Sequence, residues 1–256
     1  MAFDVAGGSY QRFMGRFSEK LSAPFADYAG VVPGSGMRVL DVGCGPGALT
    51  AVLVDRLGTS AVAGVDPSEP FVAAVRDRLP DVDIRQAPAE ALPFEDDSFD
   101  AALAQLVVHF MTDAPAGVRE MARVTRAGGP VAVCVWDHAG GRGPLSLFWS
   151  AVAEVDPTAR DEAGLMGSTE GQLEELLAAA GLTEVDGGEL TVTRAYASFE
   201  DWWEPYTLGV GPAGDYVRTI DDATRDRVIA ACRTRLPTGE FTLEATCWAA
   251  RGRVAS

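Results

Sequence analysis

Asp41 stands two residues ahead of three glycines at alternate positions, Gly43, Gly45 and Gly47, in the run Val39-Leu-Asp-Val-Gly-Cys-Gly-Pro-Gly-Ala-Leu-Thr50. Glycine is required where φ is positive or where a ligand must touch bare backbone. A helical pattern resumes at Ala48, and a helix start offers unpaired N–H groups with a partial positive charge. Donors and a fixed carboxylate therefore lie side by side, which suits a ligand carrying both charges. Asp66 closes a second apolar run 23 residues beyond Gly43 (66 − 43). His109 and His138 are the only imidazoles. They are the candidate general bases, because histidine is the usual acid or base near neutral pH. Cys44, Cys134, Cys232 and Cys247 are scattered and form no CxxC pair. No metal site is expected, since zinc needs clustered ligands, and the thiols are expected reduced and mostly buried.

The elements that must position these groups follow from periodicity. Arg38–Val42 reads as a strand, followed by a helix over about 47–57. Ala61–Asp66 is a second strand, and Ser68 can cap a helix whose apolar positions Phe71, Val72, Val75 and Leu79 have helical spacing before Pro80. Val82–Ala87 and Phe99–Leu106 give two more strands. Ala116–Arg126 is an amphipathic helix, and Val131–Trp136 a continuous apolar strand after Gly128-Gly129. Strands alternating with helices predict an α/β fold with a doubly wound, Rossmann-like, mostly parallel sheet. In such folds ligands bind beyond the carboxyl ends of the strands. Ala139–Pro144 reads as a loop, Glu170–Ala180 as a helix, and Glu189–Tyr196 and Phe241–Ala249 as two β segments. Between those two lie about forty residues, 197–239, rich in aromatics, Gly and Pro. Long segments of this kind are often functional, so Trp202, Trp203 and Tyr206, with Trp136, are candidate substrate contacts. The expected organisation is an N-terminal helical cap over 1–30, a core over 31–196 and 240–256, and a substrate lid inserted at 197–239.

Composition narrows the partners. The 256 residues carry 21 basic and 37 acidic side chains, a net charge of −16, and Lys20 is the only lysine. Binding nucleic acid or anionic lipid normally needs a basic patch, so neither is expected. The longest apolar runs fall well short of the roughly 20 residues a membrane span needs. The N-terminus lacks a basic region followed by an apolar core. A soluble, cytoplasmic monomer or homodimer is the expectation.

Several features in fixed order resemble one family. These are Val39–Gly47, Gly64-Val-Asp-Pro-Ser68, Ala89-Glu-Ala-Leu-Pro-Phe94, Ser98-Phe-Asp100, and Arg119-Glu-Met-Ala-Arg123 before Gly128-Gly129. The chain resembles the class I S-adenosylmethionine-dependent methyltransferases, in the small-molecule branch similar to the ubiquinone/menaquinone biosynthesis enzymes. The resemblance covers roughly residues 10–137 well, and it implies S-adenosyl-L-methionine as cofactor and a small-molecule methyl acceptor. It also implies a terminal antiparallel hairpin. Gly43 and Gly45 would let backbone approach the methionine part, with Asp41 near its ammonium and Gln105 close by. Asp66 would accept hydrogen bonds from the ribose hydroxyls, a task suited to two acceptor oxygens. Pro67 and Ser68 would flank the ribose or adenine, and Ala89 and Glu90 the adenine edge. Tyr10, in an opening segment that often folds over the cofactor, would be a lid residue. Pro88 departs from the pattern, because Asp often meets the adenine amino group there.

Two other readings compete. Gly43, Gly45 and Ala48 also satisfy G-x-G-x-x-A, with Asp66 near the distance of a ribose acid, so a nicotinamide-dependent dehydrogenase is one alternative. It leaves Asp41 and the Ala89–Phe94 segment without a role. The other is a non-catalytic S-adenosylmethionine-binding protein.

Overall fold

The computed structural model describes residues 15–255. Tyr10 lies outside them. In chain order the elements are α1 (Arg16–Tyr28), β1 (Val39–Val42), α2 (Ala48–Leu57), β2 (Val62–Asp66), α3 (Glu69–Arg78), β3 (Asp83–Gln86), β4 (Ala101–Gln105), α4 (Ala114–Val124) and β5 (Pro130–Trp136). Then come α5 (Ser146–Val155), α6 (Gln172–Ala179), β6 (Thr183–Tyr196), α7 (Phe199–Trp203), α8 (Gly211–Thr219), α9 (Asp222–Arg233) and β7 (Phe241–Arg253).

The strands form one sheet in the order β3-β2-β1-β4-β5-β7-β6. β1 to β5 pair in parallel, and β7 runs antiparallel to both β5 and β6. This is the expected doubly wound sheet with its terminal hairpin. Every residue of β1, β2 and β4 is buried, as strands covered on both faces must be. Alternate side chains feed two cores. Val39 and Leu103 join Leu21, Phe25, Leu53 and Val75 on one face. Leu40, Val42 and Ala102 join Val118, Met121 and Leu173 on the other. The strand order turns between β1 and β4, the place where such sheets open a crevice.

Some boundaries differ from the sequence reading. β6 begins at Thr183, not Glu189, because a register shift between Thr183 and Asp186 and two glycines hide its first half from any alternation. β7 continues to Arg253. The helix read over Ala116–Arg126 begins earlier, at Ala114, where the Asp113 carboxylate caps the Ala116 amide, and it ends at Val124. Ser68 occupies the N-cap position of α3, but its hydroxyl makes no capping bond. Segment 197–239 is helical, comprising α7, a 3₁₀ turn over Glu204–Leu208, α8 and α9. Its Phe199, Trp202 and Tyr206 pack into the same core as α1 and α5.

Candidate functional site

The glycine run is a tight turn from β1 into α2. Gly43, Gly45 and Gly47 all have positive φ, at 69°, 51° and 85°, a region closed to most side chains. A Cβ on Gly43 would also overlap the Val107 side chain, whereas one on Gly45 would meet open space. Gly43 is thus fixed by packing, and Gly45 keeps a face of bare backbone. The N-cap residue of α2, Gly47, offers no side-chain cap, so the amides of Ala48 and Leu49 keep their donor capacity while that of Thr50 faces Asp41.

Asp41, at the end of β1, is 1% exposed and accepts a hydrogen bond from Thr50 Oγ1 at 2.6 Å. Burial, reinforced by the nearby Asp66 carboxylate, pushes its pKa up to about 7 against the opposing Thr50 bond. Asp66 accepts the amides of Gly45 at 2.9 Å and Ser68 at 2.8 Å, one on each oxygen. It holds the glycine turn to the end of β2, and burial raises its pKa. Each oxygen keeps a second lone pair for another donor.

Asp41, Gly43, Cys44, Gly45, Ala48 and Leu49 line a cavity of about 40 Å³ together with Ser18 of α1 and with Gln105 and Leu106 of β4 and its end. Gln105 donates its Nε2 to the Ser18 carbonyl at 3.0 Å. Its Oε1 is buried and has no partner among the described residues. Leu106 has φ of 62°, a strained conformation for a bulky residue of the kind found where a site dictates backbone. Ser18 and Leu106 were not legible as site residues in the sequence.

The other sequence candidates lie outside that lining. Ser68 Oγ is buried without a partner among the described residues, and the Pro67 carbonyl accepts Gln86 Nε2 at 3.1 Å. Ala89 is buried in the core beside α4. Glu90 Oε1 accepts the amides of Thr112 at 2.7 Å and Asp113 at 3.1 Å, bracing the approach to α4. Glu120 and Arg123 of α4 hold the Leu92–Phe94 backbone in return. Phe94 packs edge-on against Phe99, at 4.9 Å between ring centres.

His109 and His138, 29 residues apart (138 − 109), come together beyond the ends of β4 and β5, with ring centres 6.2 Å apart. Burial lowers the pKa of His109 to about 3 and that of His138 to about 4. Both are neutral at physiological pH. His138 sits on a loop pinned by the buried Asp137 carboxylate, which accepts the Gly140 amide at 2.7 Å and pairs with Arg142. It also lines a second cavity, of about 220 Å³, with Ser146, Trp149 and Glu162. Trp149 Nε1 donates to Glu162 Oε2 at 3.0 Å.

Three of the four candidate substrate aromatics are core residues: Trp136, Trp202 and Tyr206 are buried, and Trp203 is half-buried. Trp202 and Tyr206 line a narrow pocket with Phe17, Leu145, Arg194 and Tyr196. The sequence reading missed Arg194. Its signal is an inward position in the alternation Leu190-x-Val192-x-Arg194-x-Tyr196, where Val192, Arg194 and Tyr196 are buried and their neighbours exposed.

A family model described as "Methyltransferase domain" matches residues 40–133. The chain is 33% identical over 170 residues to a phosphatidylethanolamine N-methyltransferase of Cereibacter sphaeroides, covering 62% of this chain and 80% of that protein. It is 41% identical over 113 residues to a ubiquinone/menaquinone biosynthesis C-methyltransferase of Stenotrophomonas maltophilia, covering 41% of this chain and 44% of that protein. Among solved structures, phosphoethanolamine N-methyltransferase 2 of Haemonchus contortus, in complex with S-adenosyl-L-methionine, is similar at a TM-score of 0.56 and 16% identity. That match covers 91% of this chain and 52% of the other, a likeness of fold.

Proposed function

The chain belongs to the S-adenosylmethionine-dependent methyltransferases, and on that premise we propose that it methylates a small-molecule acceptor held between α1 and segment 197–239. One observation carries the assignment of the cofactor's amino-acid end to the β1–α2 turn. The Asp41 carboxylate and the unpartnered Gln105 Oε1 line one cavity, beside the uncapped start of α2. Two acceptors suit an ammonium, and free helix amides suit a carboxylate. A dinucleotide pyrophosphate would meet a buried carboxylate there and be repelled, which counts against the nicotinamide reading.

The bound cofactor supplies an electrophilic methyl group on a sulfonium. Asp41 and Gln105 would hold its ammonium, and the first amides of α2 its carboxylate. Asp66 would use its remaining lone pairs on the ribose, with Ser68 Oγ as a further partner. The work left to the protein is to orient the acceptor and exclude water. His109 and His138 are candidate proton acceptors, but imidazoles whose pKa is depressed to about 3 and about 4 are weak bases. The site therefore favours a nucleophile that needs no proton removed before it attacks, such as a carboxylate, a neutral amine or an electron-rich carbon, and the proton that an N–H amine or a C–H carbon sheds after methyl transfer leaves to solvent. Segment 197–239 acts as the lid. The net charge of −16 counts against nucleic acid as a partner, and the reading keeps the protein cytoplasmic and monomeric or homodimeric.

Calorimetry with S-adenosylhomocysteine tests the cofactor assignment. Binding that Asp41→Ala weakens at least tenfold is expected. No binding by the parent protein at millimolar ligand would overturn it.

A further inference from the structure

Arg194 is a charged side chain in an interior position. It is 5% exposed, its Nη2 is buried without a hydrogen-bond partner, and it makes no ion pair among the described residues. Its guanidinium lies over the Tyr196 ring at 4.2 Å. The carboxylate that acts on it through space, Asp201, is committed to Arg16 at 3.3 Å and to the Ala197 amide at 3.1 Å. Arg16 itself repels it. A buried charge without a counter-charge is costly, and the Tyr196 hydroxyl, which hydrogen-bonds the guanidinium, is neutral and does not balance it.

The surroundings indicate what would complete it. Arg194 lines a pocket with Phe17, Leu145, Tyr196, Trp202 and Tyr206. Phe17 precedes Ser18, which lines the Asp41 cavity, so one turn of α1 borders both spaces. Trp136 packs edge-on against Phe17, with ring centres 6.2 Å apart, and its Nε1 is a second buried donor without a partner among the described residues. The pocket measures about 10 Å³, on the scale of a single water, so entry of a ligand requires its walls to part. Those walls include α7, five residues long, and the 3₁₀ turn that follows it, elements with few internal hydrogen bonds to lose.

We propose that Arg194 anchors a carboxylate of the methyl acceptor, and that the acceptor is an aromatic or apolar carboxylic acid. One guanidinium balances one carboxylate. A phosphate monoester would bring more negative charge than Arg194 neutralises, in a protein whose net charge is already −16. The inference rests on the reading of this face as the acceptor side of a methyltransferase.

The test uses the full chain saturated with S-adenosylhomocysteine, titrated calorimetrically with benzoate, cinnamate and octanoate, with their primary amides, and with phenyl phosphate. At least one carboxylate is expected to bind tenfold or more tightly than its amide. Arg194→Met should abolish that preference while leaving S-adenosylhomocysteine affinity within twofold. The same variant should melt at a temperature no lower than the parent without ligand, since a buried uncompensated charge has been removed. Equal binding of acid and amide, carboxylate binding unchanged in Arg194→Met, or failure of all three acids would overturn the proposal. Tighter binding of phenyl phosphate would overturn it in favour of a phosphate anchor. A protein that binds no S-adenosylhomocysteine yet selects carboxylates through Arg194 would keep the anchor and sink the cofactor assignment.

Discussion

Affinity for the cofactor product should depend on pH through Asp41. In the ligand-free protein burial holds this carboxyl at about 7, so near neutrality it is divided between acid and anion. Only the anion attracts an ammonium, and pairing stabilises it, so binding drives the proton off. Where the bound form stays ionised, the dissociation constant grows as one plus ten to the power (7 − pH). Between pH 8 and pH 5.5 that is a loss of roughly 30-fold, or about 2 kcal/mol. Calorimetry with S-adenosylhomocysteine at several pH values, repeated in buffers of different ionisation enthalpy, reads both the affinity and the proton released. About half a proton should leave at pH 7. Asp41→Asn should flatten the profile at the weak end. An affinity that moves less than threefold over this range would refute the link between Asp41 and the ammonium.

Asp41→Asn should also stabilise the ligand-free protein. The native pKa lies above the unfolded value of 3.8, so the folded state holds the extra proton between about pH 4 and 7. Stability of the parent therefore falls as pH rises through that window, by up to about 4 kcal/mol. The melting temperatures of parent and variant should diverge towards pH 8 and converge near pH 4, and constant separation would contradict the linkage. Gln105→Leu removes the unpartnered Oε1 and should weaken S-adenosylhomocysteine by about 1–2 kcal/mol in calorimetry; unchanged affinity would take Gln105 out of the site. Gly43→Ala faces both a φ of 69° and the Val107 side chain. It should cost about 1–3 kcal/mol in denaturant unfolding, whereas a neutral effect would mean the turn can relax.

The sheet was legible because its strands obey one rule. Val131–Trp136 is apolar throughout and Val39–Val42 is apolar but for Asp41, and Gly, Pro and acidic residues mark their ends. The β1–α2 turn was legible for the same reason, since only glycines tolerate three positive φ values in five residues. Less could be read where a long-range partner decides the outcome. Glu90 reads in the sequence as a ligand contact, and the fold adds a bracing role that residue type does not show, its Oε1 accepting the amides of Thr112 and Asp113, an arrangement that exists only once α4 is in place. The helices of segment 199–233 were hidden because their aromatics pack against α5 and lack a clean helical stripe, as with Phe148 stacked on Tyr206 at 4.6 Å. Helix α5 was missed because Ser-Leu-Phe-Trp-Ser-Ala-Val is apolar on too many sides to show a period. Ser18 enters the site through a backbone carbonyl, which residue type cannot announce. Arg194 could have been found, since a lone arginine on the inward face of an alternating strand breaks the binary pattern.

The central claim is that the cofactor's amino-acid end sits in the cavity between the β1–α2 turn and Gln105. A crystal structure of the protein with S-adenosylhomocysteine tests it most directly. The ligand's amino group should lie within hydrogen-bonding distance of both the Asp41 carboxylate and Gln105 Oε1, with its carboxylate at the start of α2. An amino group bound elsewhere, with Asp41 still facing only Thr50, would contradict it.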